Sequence, residues 1–166
     1  MEYFDILNSS GVPTGAKARK GTLLKDGEYY LGVHAYIFNP SYEFLLQQRS
    51  FAKDFLPGIW DIHMGHVIAG ETSKQGMVRE IREEIGLSLC EADLYLTGTV
   101  IWEDDNHITD IYFLKTDFEP SALSFQHDEV IGVKTVSKDE MMDLVSKMDY
   151  RPSAYREHVL RAIRDL

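Results

Sequence analysis

The chain has 166 residues, 44% of them hydrophobic and 27% charged, with a formal net charge of −10. That length suits one domain with a substantial core. The acidic balance argues against a nucleic-acid backbone as the main partner, but leaves open a small phosphorylated substrate, because bound cations can reverse the local sign. No apolar run reaches membrane-spanning length, and the opening MEYFDILNSS lacks the basic region and long apolar run of a signal peptide. The single cysteine, Cys90, excludes an internal disulfide, fits a reducing cytoplasmic interior, and reads as a small packing residue.

In chain order, residues 2–7 (EYFDIL) read as a strand followed by an NSSG turn. From Val12 to Lys25 the chain is polar, and Lys17, Arg19, Lys20 and Lys25 form its densest basic patch, which reads as a solvated loop. LGVHAYIF alternates so that Val33, Ala35 and Ile37 share one face. NPSYE is a turn and FLLQQR a partner strand, together a hairpin. His34, in mid-strand, reads as a satisfied half-buried histidine with no role. Arg49 ends the second strand, ahead of the loop SFAKDFLPGIW. A planar guanidinium there could hold a phosphate with two parallel hydrogen bonds, so Arg49 is expected to bind substrate, whereas Lys53 is expected to face solvent. WDIHM should be a short strand leading to Gly65, with Trp60 in the core and His63 undecided.

A helix is predicted from about Thr72 to Ile85. Thr72 and Gln75 make a T-x-x-Q capping box, and Gly86 is a stop signal. At 100° per residue, Val78, Ile81 and Ile85 fall on one stripe and face the core. Glu80, Glu83 and Glu84 crowd another side, since residues three and four apart are surface neighbours. Such crowding is unfavourable unless a cation sits there, and Mg²⁺ is held by a few carboxylates with substrate phosphates and water. Glu71 precedes the helix and Arg79 lies within it, so the pair could tie the loop 65–71 back to the helix.

Beyond the helix, Leu94–Ile101 and Thr109–Phe118 read as strands joined by the acidic loop WEDDNH, which reads as solvated. VIGVKTV is a last strand. Ser137-x-x-Glu140 is a second capping box, opening a helix with Met141, Leu144, Val145 and Met148 inward. DYRPS breaks the chain before a C-terminal helix carrying Tyr155, Val159, Ala162, Ile163 and Leu166. Strands and helices mixed without regular alternation indicate a mixed α/β domain over 1–166.

The stretch Gly65–Leu87 resembles the Nudix box, G-x5-E-x7-R-E-U-x-E-E-x-G-U, at every specified position: Gly65, Glu71, Arg79, Glu80, Ile81, Glu83, Glu84, Gly86 and Leu87. The resemblance implies an α/β/α sandwich with a mixed sheet and hydrolysis of a nucleoside diphosphate linked to another moiety, using Mg²⁺ or Mn²⁺. Carried over, Glu80, Glu83 and Glu84 would be metal ligands with the Gly65 carbonyl, and Glu71 and Arg79 the structural pair. The general base would be Glu83, Glu84 or Glu129, the last in a loop HDEV like those that supply an extra glutamate in relatives. HAYIFN, LLQQRS, FLPGIWD and the pair Gly65-His66 resemble the isopentenyl-diphosphate isomerase branch more closely. There a Cys-Gly-His triplet stands where this chain has Met64-Gly65-His66. Methionine offers no acidic proton, so isomerisation is disfavoured. His66 is a candidate for metal or phosphate binding, or merely caps its loop. A non-catalytic metabolite sensor is a further alternative, opposed by the complete set of box glutamates. RNA decapping is opposed by the net charge. A small diphosphate substrate is the expected partner, with no membrane or nucleic acid, and a homodimer is left open.

Overall fold

The computed structural model describes residues 2–166. Its elements run β1 (Tyr3–Leu7), β2 (Pro13–Arg19), β3 (Tyr30–Phe38), β4 (Phe44–Arg49), β5 (Trp60–Asp61), β6 (His63–His66), α1 (Ser73–Ile85), β7 (Tyr95–Trp102), β8 (His107–Lys115), β9 (Val130–Val136), α2 (Lys138–Ser146) and α3 (Ser153–Arg164). Seven strands form one mixed sheet, in which β3 runs parallel to β8 and antiparallel to β4 and β6. β3 is covered on both faces, which is why it reads as an almost unbroken apolar run. Val33, Ala35 and Ile37 pack with Met77, Ile81 and Ile85 of α1. Tyr36 and Phe38 pack on the other face with Met141, Val145, Tyr155, Val159 and Ile163 of α2 and α3. The result is the expected α/β/α sandwich.

The sheet splits where the site forms. β3 and β4 pair only at Ile37–Leu45 and Phe38–Phe44. Beyond that point β6 continues along β3 at residues 32–35, while β5 continues along β4 at residues 47 and 48. The expected single strand WDIHM is therefore two strands on two partners, and its second half carries Gly65 to the split.

Other expectations are corrected. Residues 13–19 are a strand rather than a solvated loop, paired antiparallel with β1. Only Ala18 of that strand is buried, so there was no apolar alternation to find. In α1, Met77 is fully buried with Ile81 and Ile85, at spacings of four, while Val78 lies on the flank and is half-buried. Met148 is buried but lies beyond the end of α2. Cys90 is exposed rather than packed.

Candidate active site

Helix α1 starts where its sequence says it should. Thr72 caps Gln75, which returns the bond, and Gly86 closes the helix at φ 71° with its N–H on the Arg82 carbonyl. Arg79 is its hub. Its Nε donates to Glu71 Oε1 at 2.9 Å, and its Nη2 to Glu71 Oε2 at 3.1 Å and to the His66 carbonyl at 2.8 Å. Its Nη1 donates to Glu80 at 2.8 Å and Glu83 at 3.2 Å. Glu71 also accepts the Ile68 N–H at 3.2 Å, so the loop is tied to the helix as expected. Burial works against the Arg79 charge, but hydrogen bonds and charge from Glu71 and Glu80 outweigh it and raise its pKa.

Gly65 has a steric reason. A Cβ there would lie 2.1 Å from Glu80 Cδ, so any side chain would push that carboxylate away. Glu84 differs from its neighbours. It lies three residues from Ile81, at the margin of the apolar stripe, and is 5% exposed. Its Oε2 has no hydrogen-bond partner among the described residues. Burial, reinforced by the Glu80 charge, pushes its pKa up to about 8. Burial also raises Glu80, against the pull of Arg79.

These carboxylates border a cavity of about 500 Å³ that also takes in Gly65, His66, Arg49 and Glu129. Every site residue named from sequence lines it, apart from Glu71, which acts behind Arg79. Arg49 is 6% exposed; its Nε donates to the Phe55 carbonyl at 3.0 Å, and its guanidinium lies 5.9 Å from the Phe55 ring centre. His66 stacks between Phe4 and His107, with the two histidine Nε2 atoms 2.8 Å apart. Burial and the His107 ring push His66 down to about 3.

Sequence reasoning missed several lining residues. Lys53, expected in solvent, pairs with Glu129, and Lys20 pairs with Glu2 at 2.8 Å; all four line the cavity. His34, given no role, lines the cavity with Trp102, His107 and Arg151. Behind this wall Arg151 Nη2 donates to both Asp61 oxygens at 2.8 Å, and Nη1 lies 2.9 Å from His34 Nδ1. Tyr155 Oη stands 2.8 Å from the same nitrogen and 2.9 Å from Tyr36 Oη. A buried charge can be suspected from WD and YRP next to predicted elements, but its partners lie 90 and 117 residues away.

Among the described residues no three His, Cys, Asp or Glu side chains stand close enough together to hold an ion; Glu80 and Glu83 are both held by Arg79. The donor set is nevertheless all oxygen, which suits a hard divalent cation, and the orphaned Glu84 Oε2 is a buried acceptor of the kind such an ion would satisfy.

Comparison with known proteins agrees with this architecture. The model of the NUDIX domain family matches residues 28–157. The chain is 37% identical over 161 residues to Nudix hydrolase 3 of Arabidopsis thaliana, covering 89% of this chain but 21% of that protein, so it spans about a fifth of that relative's length. It is 26% identical over 161 residues to isopentenyl-diphosphate Delta-isomerase of Escherichia coli, covering 93% of this chain and 85% of that protein. The solved structure of DR0079 from Deinococcus radiodurans superposes with a TM-score of 0.74 over 99% of this chain and 98% of that one, at 16% identity. The family match spans most of the chain and includes all of the box residues, and the chain belongs to the NUDIX domain family.

Proposed function

We propose that this protein hydrolyses a diphosphate linkage in a small nucleotide-type metabolite with the help of Mg²⁺ or Mn²⁺. The observation that carries the reading is Glu84, a buried carboxylate whose Oε2 has no hydrogen-bond partner among the described residues, beside Glu80 and Glu83 in a cavity that Arg49, Lys53 and Lys20 also line. Glu80, Glu83, Glu84 and the Gly65 carbonyl would hold the metal. When bound, the cation neutralises diphosphate charge and makes water a better nucleophile. The chain's own residues do the rest. Arg49, Lys53 and Lys20 line the cavity and would take the phosphate oxygens. Substitution at phosphorus by water needs in-line alignment, to which the buried Arg49 guanidinium would contribute by holding the phosphate.

A base must accept a proton from the attacking water. Glu83 and Glu84 are candidates within α1, and Glu129 is a third on the cavity wall. Glu129 is engaged by Lys53, so its use requires a phosphate to draw that ammonium away. Isomerisation of a carbon–carbon double bond is disfavoured, because Met64 lines the cavity where an acidic thiol would be required.

The test is hydrolysis of nucleotide sugars, dinucleotides, nucleoside di- and triphosphates and isoprenoid diphosphates, with and without Mg²⁺. Turnover of at least one member with Mg²⁺, lost in excess chelator, is expected. Full activity in chelator would sink the metal-dependent reading, and dimethylallyl diphosphate formed from isopentenyl diphosphate would replace it with isomerisation.

A further inference from the structure

The mixed sheet ends at β7, which among the described residues pairs with β8 alone. None of its eight residues is buried. Such an edge offers a row of free backbone groups, and proteins guard it with lysine, proline or a bulge. β7, YLTGTVIW, has a bulge but neither lysine nor proline, whereas β9, which pairs with β4 alone, carries Lys134. Tyr95, Leu96 and Ile101 on β7 are 71%, 45% and 43% exposed.

The strand is also complementary to itself. Leu96, Thr99 and Ile101 oppose Tyr112, Asp110 and Ile108 of β8, which alternate along that strand and so share a face. The register shifts between Leu96 and Gly98, so Thr97 is the extra residue of the bulge and Leu96 stays in step with Ile101. Thr99 is therefore the midpoint of a face that carries an apolar side chain on either side of it. The ends of the strand differ in charge. Trp102 runs into the acidic turn Glu103–Asp105. At the other end Arg161 borders a groove of about 400 Å³ with Tyr95, Phe113 and Asp165, and Lys74 Nζ is bonded to the carbonyls of Glu91 and Leu94. Antiparallel pairing of two copies carries each acidic turn to the end that holds cations, whereas parallel pairing would set the two acidic turns against each other.

We propose that β7 is a pairing edge for a second copy of this chain, joining the two sheets antiparallel about a twofold axis at Thr99. Leu96 of each copy then meets the partner's Ile101, and Tyr95 the partner's Trp102. The same strand serves both copies, so the contact uses up both edges and closes as a dimer. The proposal stands apart from the hydrolase reading and does not depend on it.

Sedimentation equilibrium of the wild-type chain should find a dimer at about 100 μM. Ile101→Lys alters a side chain that is already exposed, so urea melts should show the fold kept, while the dimer weakens at least about tenfold. Cross-linking reads the register independently, in a Cys90→Ser background because Cys90 is itself exposed. With oxidised glutathione as oxidant, Thr99→Cys should form a disulfide between copies, since directly opposed Cα atoms lie about 4.5–5.5 Å apart. Leu96→Cys should not, being about 13 Å from the same position in the partner, but Leu96→Cys combined with Ile101→Cys should. A wild-type monomer at that concentration, a dimer indifferent to Ile101→Lys, or cross-linking of Leu96→Cys equal to that of Thr99→Cys would overturn the proposal.

Discussion

Arg79 and Arg151 each gather a carboxylate and further partners around one guanidinium, and both line the same cavity, yet they differ in how far they are shut off from water. Arg79 keeps 15% of its side chain exposed and holds Glu71, Glu80 and Glu83 from within two helical turns or the adjoining loop. Arg151 keeps 2% and holds Asp61 and His34 from the far end of the chain. The first centre restrains carboxylates that, as the proposed metal ligands, would change partners when a cation binds. The second fixes a wall by joining β3, β5 and the entry to α3. An ion pair near water can be traded for a substrate or a cation, whereas a desolvated one cannot be opened cheaply. The comparison predicts that changes around Arg79 act on rate and changes around Arg151 act on folding.

The largest effect should come from Glu84, the box carboxylate that Arg79 does not hold. Glu84→Gln keeps size and helix propensity, and is expected to lower kcat by about 10²–10⁴-fold without loss of fold. Stability should respond in a distinctive way. In chelator, Glu84 holds its proton up to about pH 8 in the folded state, against 4.5 for an ordinary glutamate. Between those values the folded state binds more protons than the unfolded one, so this group makes stability fall as pH rises, by up to about 1.4 kcal/mol per unit. His34, His63, His66 and His107, all held below the usual histidine range by burial, act in the opposite sense as pH rises through about 6.5. Urea titrations of wild type and Glu84→Gln at pH 6.5 and 8 isolate the Glu84 effect as the difference between the two proteins. Stability should change more favourably with rising pH in Glu84→Gln than in wild type, and an unchanged slope would refute the assignment.

Next in size is Arg151→Met, which strands the Asp61 carboxylate in the core and should cost about 3–5 kcal/mol. Adding Asp61→Asn should recover part of that loss. A cost below about 1 kcal/mol would mean that Arg151 is no more structural than a surface pair, and the contrast with Arg79 would collapse. Glu71→Gln should be milder, about 1–3 kcal/mol for a charge-assisted hydrogen bond, because Arg79 keeps the His66 carbonyl and Glu80. Its rate loss should be smaller than that of Glu84→Gln. Equal melts and equal rates for the two variants would erase the division between scaffold and chemistry.

The same contrast explains what could be read from sequence. The Arg79 centre is local: capping residues, a 100° period and a fixed motif place Glu71, Glu80, Glu83 and Glu84 before any coordinates are known. The Arg151 centre depends on which strands meet, and neither His34 nor Asp61 carries a local sign of its partner. Residues 13–19 look like a loop for a related reason, since that strand exists because β1 offers an edge to pair with and not because its own residues alternate. Lys53 reads as solvent-facing because a lone lysine in a loop has no pattern; the return of the chain at Glu129 gives it a partner at the cavity.

Arg49 lies between the two centres and gives the smallest and most discriminating test. It is nearly as buried as Arg151, but its one assigned side-chain bond, from Nε to the Phe55 carbonyl, leaves the outer guanidinium nitrogens for the cavity it lines. Arg49→Lys keeps the charge and loses both the fork and the bond to Phe55. The stability cost should be about 1 kcal/mol, the worth of one such hydrogen bond. If the fork grips the diphosphate equally in ground and transition states, KM should rise about threefold to tenfold with kcat unchanged; if it tightens on migrating charge, kcat should fall instead. Steady-state kinetics of Arg49→Lys beside wild type, with urea melts of both, separate these outcomes. A lysine variant with wild-type kinetics and a 1 kcal/mol loss would place Arg49 with Arg151 as a brace for the loop to Phe55. A kinetic defect in a protein of wild-type stability would instead make Arg49 a charge that acts on the substrate.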